Sequence, residues 1–318
     1  MLGIRRAVID IGTNSVKLLV AEVAGNQVNP LWEDSQQTRL GQGFYETRVL
    51  QAASIASTAR AVAQFAKTAR EWGAVSLRAI ATSAARDAVN PERLLAAVQA
   101  AASLKIEIIS GEQEADWVFR GVTTDPELAQ LPLMLLDVGG GSTEFILGHG
   151  AHQDFCHSFP LGTVRLLELT PPSDPPTAAE LTGCRKWLKD FLRDQVRPKL
   201  ETELRQEKRF DPIHHRVQLV GTGDTTAILA RMEAMLDEFD RARIEATRLN
   251  LDQVKAHSQR LWSLPLAERQ RIIGLPQRRA DVILTGVAIY EAVMEEFGFA
   301  ELRVSTRGLR YAAVMEDP

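Results

Sequence analysis

One short pattern occurs twice in this chain of 318 residues, and this repeat constrains the fold more than any other feature. Residues 8–15 read Val-Ile-Asp-Ile-Gly-Thr-Asn-Ser and residues 135–142 read Leu-Leu-Asp-Val-Gly-Gly-Gly-Ser. A second apolar run follows each copy, at residues 18–20 and at residues 145–147. Two apolar runs joined by a turn rich in glycine and serine predict a β-hairpin. Two such hairpins in the same register predict two related half-molecules.

The tips of these hairpins have the composition of phosphate-binding turns. Glycine lets backbone N–H groups approach an anion closely, and hydroxyl and amide side chains add further donors. A tight turn without a ligand also favours glycine, so the recurrence of the Asp and Ser in register is what indicates phosphate binding. In the first hairpin the predicted phosphate ligands are Gly12, Thr13, Asn14, Ser15 and Lys17. In the second hairpin they are Gly139, Gly140, Gly141, Ser142 and Thr143.

Carboxylates near the hairpin tips suggest a metal site. Asp10 and Asp137 each end an apolar strand, where an unpaired carboxylate would be costly. A magnesium ion (or manganese) between carboxylate and phosphate oxygens would offset this cost. Glu144 occupies the repeat position held by Lys17, so it is either a second carboxylate for the metal or a surface glutamate. The predicted metal ligands are therefore Asp137, Glu144 and Asp10.

A further carboxylate lies near the start of a predicted helix. Ser110 and Gln113 have the spacing of a capping box, which predicts that the helix begins directly after Ser110. Glu114 has Trp117 and Val118 at the i+3 and i+4 positions, so it lies at the edge of the apolar face. A carboxylate in this position suits a general base. The spacing alone favours a purely structural role over a catalytic one.

Composition excludes several classes of protein. A net charge of −4 argues against a general nucleic-acid binder, and no apolar stretch approaches the ~20 residues of a membrane span. The two cysteines have neither metal-ligand spacing nor the pattern of a disulfide framework. We therefore expect a soluble, cytoplasmic protein without a nucleic-acid or membrane partner. The pair His214-His215 is interpreted as solvated.

Helices and strands alternate along the chain, which predicts an α/β fold. In the first half the predicted elements are helices over residues 50–72, 91–103 and 111–122 and strands over residues 75–80 and 105–109. In the second half a strand over residues 216–220 leads into Gly-Thr-Gly-Asp-Thr at 221–225. This third loop either faces a phosphate or is a simple βα turn capped by Asp224. The long helix after residue 178 is predicted to break or kink at Pro198, and a further helix is predicted over residues 278–297.

Taken together, these motifs resemble the exopolyphosphatase/guanosine pentaphosphate phosphohydrolase (Ppx/GppA) family of the actin/Hsp70/sugar-kinase superfamily. The matching segments are residues 10–15, 81–88, 110–115, 137–144, 160–166, 279–283 and 304–310. The resemblance implies an α/β fold of two actin-like (ribonuclease H-like) domains with the active site in the cleft between them. The first domain would comprise residues 1–123 with the returning helix 306–318, and the second would comprise residues 124–305.

The resemblance also implies an activity and roles for individual residues. Glu114 matches the family's catalytic base, and Arg86 matches an arginine that binds phosphate. Asp137, Glu144 and the glycines between them match its metal and phosphate positions. The implied reaction is Mg²⁺-dependent (or Mn²⁺-dependent) release of the terminal phosphate from polyphosphate, with hydrolysis of pppGpp to ppGpp as the alternative. A kinase or a nucleotide-gated scaffold of the same fold, and assembly as a homodimer, stay open.

The chain departs from the family pattern at three places. Gln113 stands where members often carry glutamate, an exchange that a capping box tolerates. Asp224 stands where members usually have a second glycine, which puts the phosphate role of the third loop in question. The chain also lacks the C-terminal, HD-like helical extension of long members, so it is expected to be the short form.

Overall fold

The computed structural model describes residues 3–206 and 217–316, so the predicted His214-His215 pair lies outside the described residues. The chain forms two compact units. Unit 1 comprises Met1–Asp125, Gly140–Ser142 and Arg307–Pro318. Unit 2 comprises Pro126–Gly139 and Thr143–Thr306. Each unit contains one β-sheet, which makes the fold mixed α/β as predicted.

Unit 1 has a five-stranded sheet in the order β3-β2-β1-β4-β5. Its strands are β1 (Ile4–Ile11), β2 (Ser15–Ala24), β3 (Gln27–Gln37), β4 (Ser76–Ala81) and β5 (Ile106–Ile108). Its helices are α1 (Ala52–Glu71), α2 (Ser83–Asp87), α3 (Pro91–Ala102), α4 (Gly111–Val122) and the C-terminal helix (Leu309–Met315).

Both faces of the unit 1 sheet are covered, which explains why β1 and β2 are apolar along most of their length. Ile9 belongs to the core cluster that includes Phe65 of α1. Val8, whose side chain points to the opposite face, belongs to the cluster that includes Trp117 of α4 and Tyr311 of the C-terminal helix. The sheet is thus held rigidly between helices, and the hairpin tip after β1 is fixed with it.

Unit 2 has a six-stranded sheet in the order β10-β11-β9-β6-β7-β8. Its strands are β6 (Pro132–Val138), β7 (Thr143–His149), β8 (His152–Phe159), β9 (Gln218–Thr222), β10 (Arg248–Asn250) and β11 (Glu301–Val304). Its helices are α5 (Thr163–Leu169), α6 (Ala178–Phe191), α7 (Arg197–Gln206), α8 (Gly223–Glu233), α9 (Arg241–Ala246), α10 (Leu251–Ser263), α11 (Leu266–Arg269) and α12 (Ile283–Phe297). The C-terminal helix of unit 1 is accordingly α13.

The repeated sequence pattern corresponds to a repeated topology. In each unit three antiparallel strands are followed by a strand that lies parallel to the first, which gives β1-β2-β3 with β4 and β6-β7-β8 with β9. The register is the same as well, because Asp10 lies opposite Lys17 and Asp137 lies opposite Glu144. The correspondence between Lys17 and Glu144 that the repeat predicts is therefore present in the two sheets.

The break or kink predicted at Pro198 corresponds to a π-helical segment over Leu192–Val196, which interrupts the α-helical pattern between α6 and α7. Pro198 is the second residue of α7. One predicted boundary is wrong. The helix predicted from residue 278 begins at Ile283, after a 3₁₀ turn over Gln277–Arg279. Among the described residues, no helix has the length and apolar character needed to cross a membrane.

Candidate active site

The first hairpin tip in unit 1 is held by a neighbouring loop. The N–H of Arg39 donates to the carbonyl of Asn14 at 3.0 Å, and the N–H of Gly41 donates to the carbonyl of Thr13 at 2.8 Å. Within the tip, the N–H of Gly12 donates to the carbonyl of Ser15 at 2.9 Å. The backbone carbonyls of the turn are thus occupied by protein donors.

Several polar side-chain atoms near this tip are buried and lack a hydrogen-bond partner within the described residues. Four side-chain atoms have no hydrogen-bond partner among the described residues: Thr13 Oγ1, Asn14 Nδ2, Ser15 Oγ and Ser83 Oγ. None of these four residues is more than 5% exposed. Gln37 Nε2 donates to Asn14 Oδ1 at 3.1 Å, which fixes the amide with its NH₂ group unengaged. Since a buried polar group without a partner costs ~1–3 kcal/mol, this cluster points to a ligand that accepts hydrogen bonds.

Gly141 lies where three hydroxyl groups converge. A Cβ atom at this position would be 2.3 Å from Tyr45 Oη, 2.5 Å from Ser83 Oγ and 2.8 Å from Thr13 Oγ1. A Cβ atom at Gly140 would be 2.9 Å from Thr13 Cβ. Only glycine leaves room for these hydroxyl groups here. This is the physical reason for consecutive glycines in the second copy of the repeat.

Arg86 and Glu114, which the family resemblance assigns to phosphate binding and catalysis, form an ion pair in unit 1. Arg86 Nη1 lies 2.9 Å from Glu114 Oε2 and also donates to the carbonyl of Ile109 at 3.2 Å. Glu114 is only 7% exposed although it lies in the first turn of α4. The helix begins at Ser110, whose hydroxyl accepts from the N–H of Gln113 at 3.1 Å, so the predicted cap is present. The guanidinium stabilises the ionised carboxylate, which is the form that a general base requires.

In unit 2, two carboxylates lie side by side on the sheet. Asp137 and Glu144 are directly opposite in the β6–β7 pair, and Glu144 is only 1% exposed. Glu144 Oε1 accepts a hydrogen bond from Ser158 Oγ of β8 at 2.7 Å. Like charges directly opposite in a sheet are destabilising, and a divalent cation would offset the repulsion. In unit 1 the neighbour of Asp10 is Lys17, so this pair carries opposite charges.

The described residues contain no group of three or more His, Cys, Asp or Glu that could hold a metal ion. The carboxylates of Asp137 and Glu144 are thus considered as a pair. Two carboxylates fit Mg²⁺ in a phosphate-processing site, where waters and substrate phosphates complete the coordination. This fit makes Asp137 and Glu144 stronger metal candidates than Asp10.

Two predicted phosphate ligands make bonds within unit 2. The carbonyl of Gly139 accepts from the N–H of Thr163 at 2.9 Å. The hydroxyl of the fully buried Thr143 donates to the carbonyl of Leu161. The proton of Thr143 is thus used to fasten β7 to the segment after β8. The phosphate roles of Thr143 and Gly139 stay predictions.

The third loop is a βα turn that packs against Asp137. Gly223 has φ +82°, and a Cβ atom there would lie 2.4 Å from Asp137 Oδ1. One interpretation of the sequence made Asp224 the cap of this helix. That interpretation is wrong, because Thr222 occupies the N-cap position. Asp224 forms an ion pair with Arg279 instead. The carboxylate that departs from the family pattern therefore has a cationic partner within the same unit.

Tyr290 of α12 ties together the strands that carry this site. Its hydroxyl is within hydrogen-bond distance of the carbonyls of Leu136, at 2.9 Å, and Thr222, at 3.3 Å. These residues directly precede Asp137 and Gly223. Complete burial, and secondly the nearby charge of Asp137, raise the pKa of Tyr290 well above its ordinary value, so the hydroxyl stays a donor.

Comparison with known proteins assigns the chain to a family. The model of the Ppx/GppA phosphatase family matches residues 19–317. The chain belongs to this family. Exopolyphosphatase 2 of Mycobacterium tuberculosis is 32% identical over 315 residues, which cover 95% of this chain and 94% of that protein. Exopolyphosphatase 1 of the same organism is 27% identical over 314 residues, which cover 98% and 87%.

Solved structures agree with this membership. A structure of the Aquifex aeolicus Ppx/GppA enzyme superposes with a TM-score of 0.77 at 30% identity and covers 99% of each chain. An exopolyphosphatase from Cytophaga hutchinsonii shares the fold with a TM-score of 0.84 at 24% identity. The family and the two-domain α/β fold class predicted from the sequence are confirmed, and with the family the assignment as a phosphatase.

The structure adds residues that the sequence did not single out. In this Ppx/GppA family member, Ser83 joins the buried donors of the first tip, and Tyr45 lies beside Gly141. Ser83 lies within the matching segment 81–88, at the start of a short helix after a strand, and that context was the signal available for it. No sequence signal marked Tyr290. Arg279 begins the matching segment 279–283, but nothing in the sequence indicated that it pairs with Asp224, because this contact joins distant parts of the chain.

Replacing Tyr290 with phenylalanine should lower the free energy of unfolding by about 1–3 kcal/mol. The change removes the hydroxyl that two buried carbonyls share and leaves the ring in place. Urea unfolding followed by circular dichroism measures the effect. An unchanged unfolding free energy would show that the hydroxyl does not hold the ends of β6 and β9 together.

Proposed function

We propose that the protein is a phosphohydrolase that releases the terminal phosphate of inorganic polyphosphate, with Mg²⁺ (or Mn²⁺) as cofactor. The observation that carries this proposal is the cluster of buried donors on Thr13, Asn14, Ser15 and Ser83 that lack partners among the described residues. Phosphate oxygens accept hydrogen bonds from several directions at once and suit such a cluster. The named activity of the mycobacterial relatives supports polyphosphate as the substrate.

The chemistry follows from the Arg86–Glu114 pair. A Glu114 carboxylate oxygen orients a water molecule and accepts its proton while the water oxygen bonds to the terminal phosphorus. The anhydride P–O bond breaks, and the shortened chain leaves with the electron pair of that bond. Arg86 holds Glu114 in place, and its remaining N–H groups can stabilise negative charge on the phosphoryl oxygens.

Asp137 and Glu144 are the residues that would hold the metal ion. A bound divalent cation neutralises phosphate charge and polarises a phosphoryl oxygen. The buried position of Glu144 and its Ser158 hydrogen bond fix one carboxylate of this pair before any ion binds.

The test is an assay of phosphate release from polyphosphates of defined length, from pppGpp and from ATP, each with Mg²⁺, with Mn²⁺ and with chelator. We expect metal-dependent release with polyphosphate as the preferred substrate. Preferential conversion of pppGpp to ppGpp would assign the alternative substrate of the family. ATP consumption that needs an acceptor would indicate a kinase, and nucleotide binding without turnover would indicate a scaffold.

A further inference from the structure

We propose that Asp224 weakens the binding of free phosphate by keeping Arg279 in an ion pair at the turn that packs against Asp137. The proposal rests on the proposed function, because it takes phosphate as the ligand of this part of unit 2. It assigns a role to a carboxylate that would otherwise repel the substrate.

The position of Asp224 follows from the turn between β9 and α8. Gly223 packs so closely against Asp137 that a Cβ atom would come within 2.4 Å of Asp137 Oδ1. Asp224 is the next residue along the chain and lies in the first turn of α8. Arg279, in the 3₁₀ turn before α12, reaches across to it and forms the ion pair. The ion pair is therefore joined to the turn that packs against Asp137.

Burial makes this ion pair more than a surface contact. The Arg279 side chain is 15% exposed and the Asp224 side chain is 35% exposed. A guanidinium with little access to water interacts strongly with any anion that approaches it, and its fork of N–H donors matches phosphate as well as it matches carboxylate. Phosphate and the Asp224 carboxylate therefore compete for the same donors.

The charges determine the direction of the effect. Asp137, Glu144 and Asp224 are all carboxylates of unit 2, and Asp224 pairs with Arg279. With Asp224 in place, an incoming phosphate must share Arg279 and approach a carboxylate of like charge. Without that charge, Arg279 would hold phosphate more tightly and release it more slowly. Asp224 thus favours departure of the product.

The experiment measures binding of inorganic phosphate to the full-length protein in the presence of Mg²⁺ by isothermal titration calorimetry. We expect Asp224→Asn to lower the dissociation constant about 10-fold, a change of ~1.4 kcal/mol. In the Arg279→Gln background the same substitution should change the dissociation constant by less than about 2-fold, because the gain depends on the released guanidinium. Asp224→Glu, which keeps the charge, should stay close to the unsubstituted protein.

A matched control separates this effect from net charge. Asp190 is an exposed carboxylate of α6 paired with Arg193, so Asp190→Asn removes the same charge elsewhere in unit 2. We expect it to leave phosphate binding unchanged. The inhibition constant of phosphate in the hydrolysis assay provides a second measurement. It can be determined when binding is too weak for calorimetry, and it can be compared between variants that differ in stability.

Unchanged or weaker phosphate binding in Asp224→Asn would overturn the inference, as would an equal gain in Asp190→Asn or in the Arg279→Gln background. These outcomes differ from failure of the proposed function. If the protein binds phosphate as described but releases none from polyphosphate, the proposed function fails. If it hydrolyses polyphosphate and Asp224→Asn changes neither constant, only the inference about Asp224 fails.

Discussion

Glu114→Gln should reduce the rate of phosphate release from polyphosphate by about 10²–10⁴-fold, the usual contribution of a general base. The amide keeps the shape of the side chain but cannot accept the proton of the attacking water. Phosphate binding should persist, because the buried donors of the first hairpin tip are untouched. Initial rates of phosphate release measure the first effect, and calorimetric titration with tripolyphosphate measures the second.

Glu112→Gln provides the matched control for this experiment. Glu112 lies in the same first turn of α4 but is exposed, so its replacement should leave the rate within about 2-fold of the original. Full activity of a correctly folded Glu114→Gln variant would remove Glu114 from the mechanism. Loss of both activity and tripolyphosphate binding would indicate that Glu114 acts mainly by holding Arg86.

Gly141→Ala should reduce kcat/KM by about 100-fold while it lowers stability only moderately. The added methyl group would come within 2.8 Å of three hydroxyl oxygens and would have to displace them. These oxygens are the ends of side chains that can rotate, so the cost in folding should be about 1–3 kcal/mol. The same displacement moves donors by a large part of an ångström, and misplacement on this scale costs catalysis about 10²-fold.

The comparison variant is Gly183→Ala. Gly183 lies within α6, and a Cβ atom there would meet no heavy atom within 4 Å. Alanine should be neutral or slightly stabilising at this position, because it favours the helix by ~1 kcal/mol over glycine. Rates and urea unfolding curves of both variants should be measured together. If Gly141→Ala keeps full activity, the convergence of Tyr45, Ser83 and Thr13 on this glycine has no role in phosphate binding.

Local features of the fold could be predicted because the sequence encodes them over short distances. The two hairpins follow from apolar runs on either side of glycine-rich turns, and the start of α4 follows from the Ser110 cap. The charge asymmetry between Asp10–Lys17 and Asp137–Glu144 was predictable for the same reason. In a hairpin the turn length fixes which residues face each other, so register follows from sequence spacing.

The environment of the predicted site residues required the structure. The sequence identified Glu114 and Arg86 through family motifs, but nothing in their spacing indicated that one guanidinium nitrogen lies 2.9 Å from the carboxylate. The sequence also left open whether Glu144 was a surface glutamate, and its burial beside Ser158 decides against that interpretation. Asp224 departs from the family pattern, and the sequence offered no partner for its charge. The structure supplies that partner in Arg279.

By itself, the sequence determined the duplicated Asp-x-Gly hairpins, the α/β class and the family, because each depends on local pattern and short-range spacing. The tertiary structure alone decided which donors are buried without partners and which carboxylate has a cation beside it. It also decided which backbone carbonyls the Tyr290 hydroxyl contacts. These contacts join residues that are far apart along the chain. They form only when helices and sheets pack, and packing depends on the shapes of whole elements and not on any one motif.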